Sequence, residues 1–183
     1  MLTTPSSMAL HFKDRSTMIR SIAAIATCLC FATASLAGTL PLPKGEVILT
    51  VTGNIQNTNG PSEATFDREM LVALGETEIK TKSPWYDAVS TFDGVPFKKV
   101  MDYVGASGTR IRAVALNDYE TEIPMDDVQN TEVILAMKRD GEVMDVRDKG
   151  PIFVIYPYDS SPEFQTQTYY GRSAWQVTKL VVE

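Results

Sequence analysis

The sequence predicts an α+β fold, mostly β, with a mixed sheet and short helices. Three observations carry this. Arg110 to Leu116 (RIRAVAL) alternates polar and apolar residues, as a strand with one wet face does. Arg139-Asp140-Gly141 separates the strand-like runs 132–138 and 142–146, and Asp-Gly in that position is a strong hairpin signal. Only two stretches, Phe66 to Leu74 and Pro96 to Gly105, repeat apolar residues at helical spacing.

Taken in order, Gly38 to Gly45 reads as an extended lead-in with Pro41 and Pro43. Glu46 to Thr52 (EVILTVT) is rich in β-branched residues and stops at Gly53, a strand followed by a turn. Residues 54–64 read as a polar loop. The first helix places Phe66, Met70, Leu71 and Leu74 on one face, with Asp67 to cap its start and Gly75 to end it. Glu78 to Thr81 is a short strand, broken by Ser83-Pro84-Trp85, and Thr91 to Gly94 is a strand end and turn. Pro96 opens the second helix, whose Phe97, Val100, Met101 and Val104 form one stripe. After Arg110 to Leu116 comes a short strand over Thr121 to Ile123; Asp126-Asp127 reads as a solvated turn. Pro151 to Tyr156 (PIFVIY) is an unbroken apolar run, the pattern of a central strand buried on both faces. Residues 157–173 form a polar, Tyr-rich loop, and Ala174 to Val182 closes the chain as a strand.

With 183 residues, 44% of them hydrophobic, the chain suffices for one well-cored domain and is too short for two of ordinary size. Residues 1–37 are expected to lie outside it. Arg20 gives a positive start after Met18, Ile22 to Ala34 is uncharged and mostly apolar, and Ser35-Leu36-Ala37 is a small-x-small cleavage pattern. This is the shape of an export signal over 18–37, with 1–17 an over-called start. The apolar run falls short of the ~20 residues a membrane span needs. The expected product is a periplasmic or secreted domain over 38–183. Loss of 1–37 would remove Lys13, Arg15, Arg20 and Asp14, turning the formal charge of −6 into −8. An acidic chain without a basic cluster is ill suited to nucleic acid or anionic lipid. Both cysteines, Cys28 and Cys30, and the one histidine, His11, fall in the segment to be removed. The remaining chain therefore has no disulfide, no Cys/His metal site and no Ser-His-Asp or Cys-His nucleophile.

Four segments, in order, carry a family resemblance. Phe92-Asp93-Gly94-Val95-Pro96-Phe97 is similar to an aromatic-x-Gly-Val-Pro-Leu turn that leads into a helix. Ala115-Leu116-Asn117-Asp118-Tyr119 with Ile123-Pro124 is the second. The third runs from Ile134-Leu135-Ala136 through Gly141 and Met144 to Arg147-Asp148-Lys149-Gly150-Pro151. The fourth is the terminal Trp175-Gln176-Val177-Thr178-Lys179-Leu180. Over residues 78–183 the chain resembles the sulfite-oxidase-type molybdopterin-binding domain, as the short bacterial members have it. The resemblance implies a sulfite-oxidase-like fold, a molybdopterin cofactor and oxidoreductase activity. Two departures bear on the chemistry. The family holds molybdenum through a cysteine thiolate in a loop before the Gly-Val-Pro turn, whereas Lys80 to Ser90 contains none. The family's Arg-Asp-His-Gly has Lys149 in the histidine place. Carboxylates and hydroxyls do not replace a soft thiolate ligand, so standard sulfite oxidation is not expected, and neither a catalytic residue nor a metal ligand is assigned.

The candidate ligand-binding residues are Arg147, Lys149, Gly150, Asn117, Asp118, Tyr119 and Trp85. Arg147 and Lys149 beside Gly150 can clamp an anion, the guanidinium by its fork and the ammonium as a point charge. In the family this corner contacts the pterin or its phosphate. The same residues also read as a solvated turn ahead of a core strand. Asn117-Asp118-Tyr119 offers hydrogen bonds at a strand end, or an Asx turn between strands. Trp85 is a ligand platform or a core residue, and Tyr156, Tyr158, Tyr169 and Tyr170 are an aromatic rim or ties for their loop. The leading function is an exported domain that keeps the pocket without the metal chemistry. It would bind a small anionic or pterin-like ligand, or serve a protein partner as an accessory or sensory module. The alternatives are a molybdopterin-binding oxidoreductase with a non-cysteine metal environment, and an interaction protein with a vestigial cleft.

Overall fold

The computed structural model describes residues 38–183; the segment expected to be an export signal, 18–37, and the residues before it lie outside the described residues. Ten strands and four short helices follow one another. The first part of the chain forms β1 (Leu49–Gly53), β2 (Glu63–Phe66), α1 (Arg68–Ala73), β3 (Thr77–Ser83), β4 (Tyr86–Pro96) and α2 (Phe97–Tyr103). Then come β5 (Arg110–Ala115), β6 (Glu120–Pro124), α3 (Met125–Asn130), β7 (Ile134–Arg139) and β8 (Glu142–Val143). The chain ends through β9 (Phe153–Ile155), α4 (Gln167–Arg172) and β10 (Val177–Val182). The architecture is α+β with strands dominant, as the alternation patterns predict.

The strands make two sheets. One has the order β2-β1-β10-β5-β6, antiparallel except for the parallel pair β1 and β10. The other has the order β3-β4-β7-β8, with β9 pairing β7 beyond the two-residue β8. Both contribute to one apolar core. In β5, Ile111, Ala113 and Ala115 point into it while Arg110 and Arg112 stay outside and pair with Glu183. The α2 stripe of Phe97, Val100 and Met101, with Val104 at its end, is fully buried. The Asp140-Gly141 hairpin has positive φ at both residues, 53° and 84°, the conformation of a two-residue turn whose twist suits its strands.

Five readings need correction. Residues 54–64 are not all loop: β2 begins at Glu63, and Phe66 belongs to that strand, paired with Leu49, rather than to a helical face. Its edge is closed locally, because the Asn59 side chain accepts from the Thr65 N–H and donates to the Thr65 carbonyl, both at 2.8 Å. Residues 125–130 form α3, and Asp127 is buried instead of solvated. The 157–173 segment is not a plain loop, since it contains α4 and two 3-10 turns. Finally, β9 is buried throughout but has one strand partner, not two. Its free edge is covered by irregular backbone: the Val154 N–H donates to the Ala174 carbonyl at 2.9 Å, and the Val177 N–H to that of Ile152 at 3.0 Å. That cover explains why an edge strand can be wholly apolar. Among the described residues no helix is long and apolar enough to cross a membrane.

Candidate ligand-binding cleft

A cleft of about 420 Å³ opens where three connections meet: the β3–β4 turn, the β5–β6 turn and the segment from α4 to β10. Its walls are mainly Trp85, Trp175, Tyr170 and Tyr119, with the amides of Asn117 and Gln167. Each is placed by local chemistry. Pro84-Trp85 is a two-residue hairpin loop, with Ser83 and Tyr86 paired across its neck. Trp85 packs its ring edgewise against Phe153, Tyr158, Tyr170 and Trp175, at centroid distances of 5.1, 6.2, 6.0 and 5.8 Å. It is both a core residue and a cleft wall. In the β5–β6 turn the Ala115 N–H donates to the Tyr119 carbonyl at 2.9 Å, and Asp118 takes a φ of 62°. Asn117 Oδ1 accepts the Tyr119 N–H at 3.2 Å, so the Asx turn exists and still leaves the Asn117 amide N–H groups and the Tyr119 ring to the cleft.

The α4 wall hangs from a buried polar network. Asp127 Oδ2 accepts from the Tyr156 hydroxyl and from Arg172, each at 2.8 Å. Thr121 donates its hydroxyl to the Gly171 carbonyl at 2.9 Å, and the Tyr158 and Ser173 hydroxyls share a hydrogen bond of 2.6 Å. Burial, seconded for Tyr156 by the Asp127 charge, pushes both buried phenols well above their ordinary pKa, so they stay protonated. Of the four tyrosines around this segment, Tyr156 and Tyr158 are ties and Tyr170 lines the cleft.

The Arg-Asp-Lys-Gly corner is a capped 3-10 turn over Val146–Asp148, where Asp145 Oδ1 accepts from the Arg147 and Asp148 N–H groups at 2.8 and 3.0 Å. Asp148 is turned away from Arg147: it accepts from the Tyr86 hydroxyl at 3.1 Å and pairs with Arg139 at 3.0 Å. Burial and this contact with Asp148 push the Tyr86 phenol up to about 12. Arg147 is exposed, with no side-chain hydrogen bond among the described residues. Lys149 has a φ of 67°, and its Nζ lies 5.2 Å from the Trp175 ring centroid and 5.4 Å from that of Tyr86. The Gln176 N–H donates to the Lys149 carbonyl at 2.9 Å, which ties this corner to the Trp175 wall. At Gly150 a Cβ would stand 2.0 Å from the Met144 carbonyl oxygen, so the close approach that glycine allows is by the chain's own backbone.

Trp85, Asn117 and Tyr119 of the sequence candidates therefore line one cleft, and Asp118, Arg147, Lys149 and Gly150 are not among the lining residues, Lys149 lying next to the Trp175 ring that is. Sequence reasoning did not select Trp175 or Gln167 as site residues, and it named Tyr170 only as one of four tyrosines that form a rim or tie their loop. Trp175 and Tyr170 carried a signal, as large aromatics beside a loop; Gln167 carried none.

The donor set does not fit a thiolate-held metal. The cleft offers indole, phenol, amide and hydroxyl groups, residues 38–183 contain no cysteine or histidine, and no three Asp or Glu side chains converge among the described residues.

The fold and cleft define a two-sheet α+β domain with a small-molecule-sized cleft where three of its connections meet. No family model matches the sequence, and no curated protein matches it. Among solved structures, the fold is similar to that of the sulfane dehydrogenase SoxCD from Paracoccus pantotrophus, with a TM-score of 0.53 at 16% identity. The match covers 78% of this chain and 39% of that one, so the chain spans well under half of its length. At this identity the likeness is one of fold.

Proposed function

We propose that this domain is an exported small-ligand-binding module, accessory or sensory in use, which keeps the cleft of an oxidoreductase-type fold without metal chemistry of its own. One observation carries the reading. The cleft gathers both tryptophans of the chain, two tyrosines and two amides in about 420 Å³, the mostly apolar lining with a few converging polar groups that small-molecule sites have. Lys149 supplies a local cation beside Trp175, and Arg147 extends the same turn outward. The acidic chain disfavours long-range attraction of anions, so an anionic or pterin-like ligand would rely on this corner. Localisation in the periplasm, or secretion, is proposed on the 18–37 pattern.

A thermal-shift screen tests this, because a ligand that binds only the folded state raises Tm. A hit whose effect disappears in Trp85→Ala and Trp175→Ala supports the cleft. A broad screen without such a hit favours the vestigial reading. The fold likeness to SoxCD favours the second reading, an oxidoreductase that binds molybdopterin in a non-cysteine environment, and metal content separates the two.

A further inference from the structure

Resting on that reading of the cleft, we infer that its ligand class is a small aromatic carboxylate: a flat ring held in the Trp85–Trp175 corner with its anionic group toward Lys149.

The two tryptophan rings stand 5.8 Å apart at 71°. This is a corner, not a slot. A flat ring laid on one indole face meets the other indole edge-on, and these are the two arrangements aromatic quadrupoles favour. Trp175 is 39% exposed, so its surface is free to be covered. The hydrogen-bonding groups at the walls are mostly donors. The indole N–H groups of Trp85 and Trp175 and the hydroxyls of Tyr119 and Tyr170 have no protein partner among the described residues. Asn117 has its oxygen occupied by the Tyr119 N–H, which leaves its amide N–H groups. No carboxylate lines the cleft. Such a site suits an acceptor-rich ligand and offers a cation no carboxylate to pair with.

Charge points the same way. Lys149 forms no ion pair among the described residues, and its Nζ lies between the Tyr86 and Trp175 rings. The nearest acid in sequence, Asp148, is already engaged by Arg139 and the Tyr86 hydroxyl. An ammonium whose neighbours are ring faces lacks a compensating anion, which a ligand carboxylate supplies through a charge-assisted contact.

The test is isothermal titration calorimetry on the purified protein with four matched probes: 2-naphthoate, 2-naphthamide, decahydro-2-naphthoate and 2-naphthylmethylamine. The acid is expected to bind about tenfold tighter than the amide, the gap one charged hydrogen bond provides. The amine and the saturated acid should bind more weakly still. Lys149→Asn, which removes the charge and tolerates positive φ, should bring acid and amide level. Trp175→Ala should weaken every aromatic probe about tenfold, with a Tm measurement on each variant to show that it is folded. Amide or amine binding as tight as the acid overturns the carboxylate class and leaves the cleft reading standing, as does an acid preference that survives Lys149→Asn. Absence of binding by all four probes also overturns the class. The cleft reading falls only if the wider thermal-shift screen gives no ligand dependent on Trp85 or Trp175.

Discussion

Asp67 joins the lead-in segment to the first helix through three backbone groups. Its Oδ1 accepts from the Met70 N–H at 2.8 Å as an N-cap, and its Oδ2 accepts from those of Lys44 and Gly45 at 2.7 and 2.9 Å. The hydrogen bond from Gly45, followed by that from Met70, holds its pKa below the usual 3.8. A folded value below the unfolded one means that the carboxylate stabilises the fold above pH ~4, and that this stability is lost as pH falls through the folded pKa. Asp67→Ala is expected to cost about 1–2 kcal/mol at pH 7 and to flatten the acid side of the stability profile, read from denaturant melts at pH 7 and pH 3. An equal loss at both pH values would show that the charge plays no part. Arg147 makes the opposite case, being exposed and without a side-chain hydrogen bond among the described residues. Arg147→Ala should leave stability within about 0.5 kcal/mol. If the turn contributes Arg147 to an anionic ligand, the variant weakens that ligand about tenfold, since a charge-assisted hydrogen bond contributes about 1.5–3 kcal/mol. Titration of a screen hit decides this, and unchanged affinity returns Arg147 to a solvated turn.

At the scale of elements, Asp127 fastens α3 to the residue that follows β9, Tyr156, and to the end of α4 through Arg172. Asp127 is 7% exposed, so removing its carboxylate strands a buried phenol and frees a partly buried cation. Asp127→Ala should cost about 3 kcal/mol, the lower end for breaking a buried pair. Because α4 carries Tyr170 and Gln167 into the cleft, the variant should also shift tryptophan fluorescence, which reports on Trp85 and Trp175 alone. Unaltered emission would mean that α4 is positioned without this network. In β9, Ile155 is fully buried though its strand pairs only β7, and Ile155→Ala should cost about 2–5 kcal/mol in denaturant melts. A loss near zero would show that the backbone around Ala174 does not seal that edge.

For the whole molecule, the proposed absence of metal chemistry makes one prediction. Protein expressed in a host that makes the molybdenum cofactor should carry no stoichiometric molybdenum, because residues 38–183 contain no thiol; one metal per chain by elemental analysis would promote the oxidoreductase reading. Features that depend on near neighbours were legible in the chain itself. The Asp140-Gly141 hairpin, the α2 stripe from Phe97 to Val104, the alternation of β5 and the Asp67 cap all rest on contacts within a turn or along one strand. The candidate site was legible in part, because Asn117 and Tyr119 share one turn and Trp85 breaks a strand pair. Which distant residues meet them was not. A parallel β1–β10 pair and a β9 edge sealed by the segment around Ala174 bring Trp175 beside Trp85 and Lys149, and no local period encodes such a meeting. Asp127 read as solvated for the same reason: a carboxylate enters a core only when a phenol and a guanidinium arrive from elsewhere to satisfy it. The sequence by itself determined the fold class and the absence of thiol and imidazole from residues 38–183. Only the tertiary structure decided which aromatic rings form a cleft and that Lys149, rather than Arg147, stands beside it, since packing between chain-distant elements, and not propensity, sets those distances.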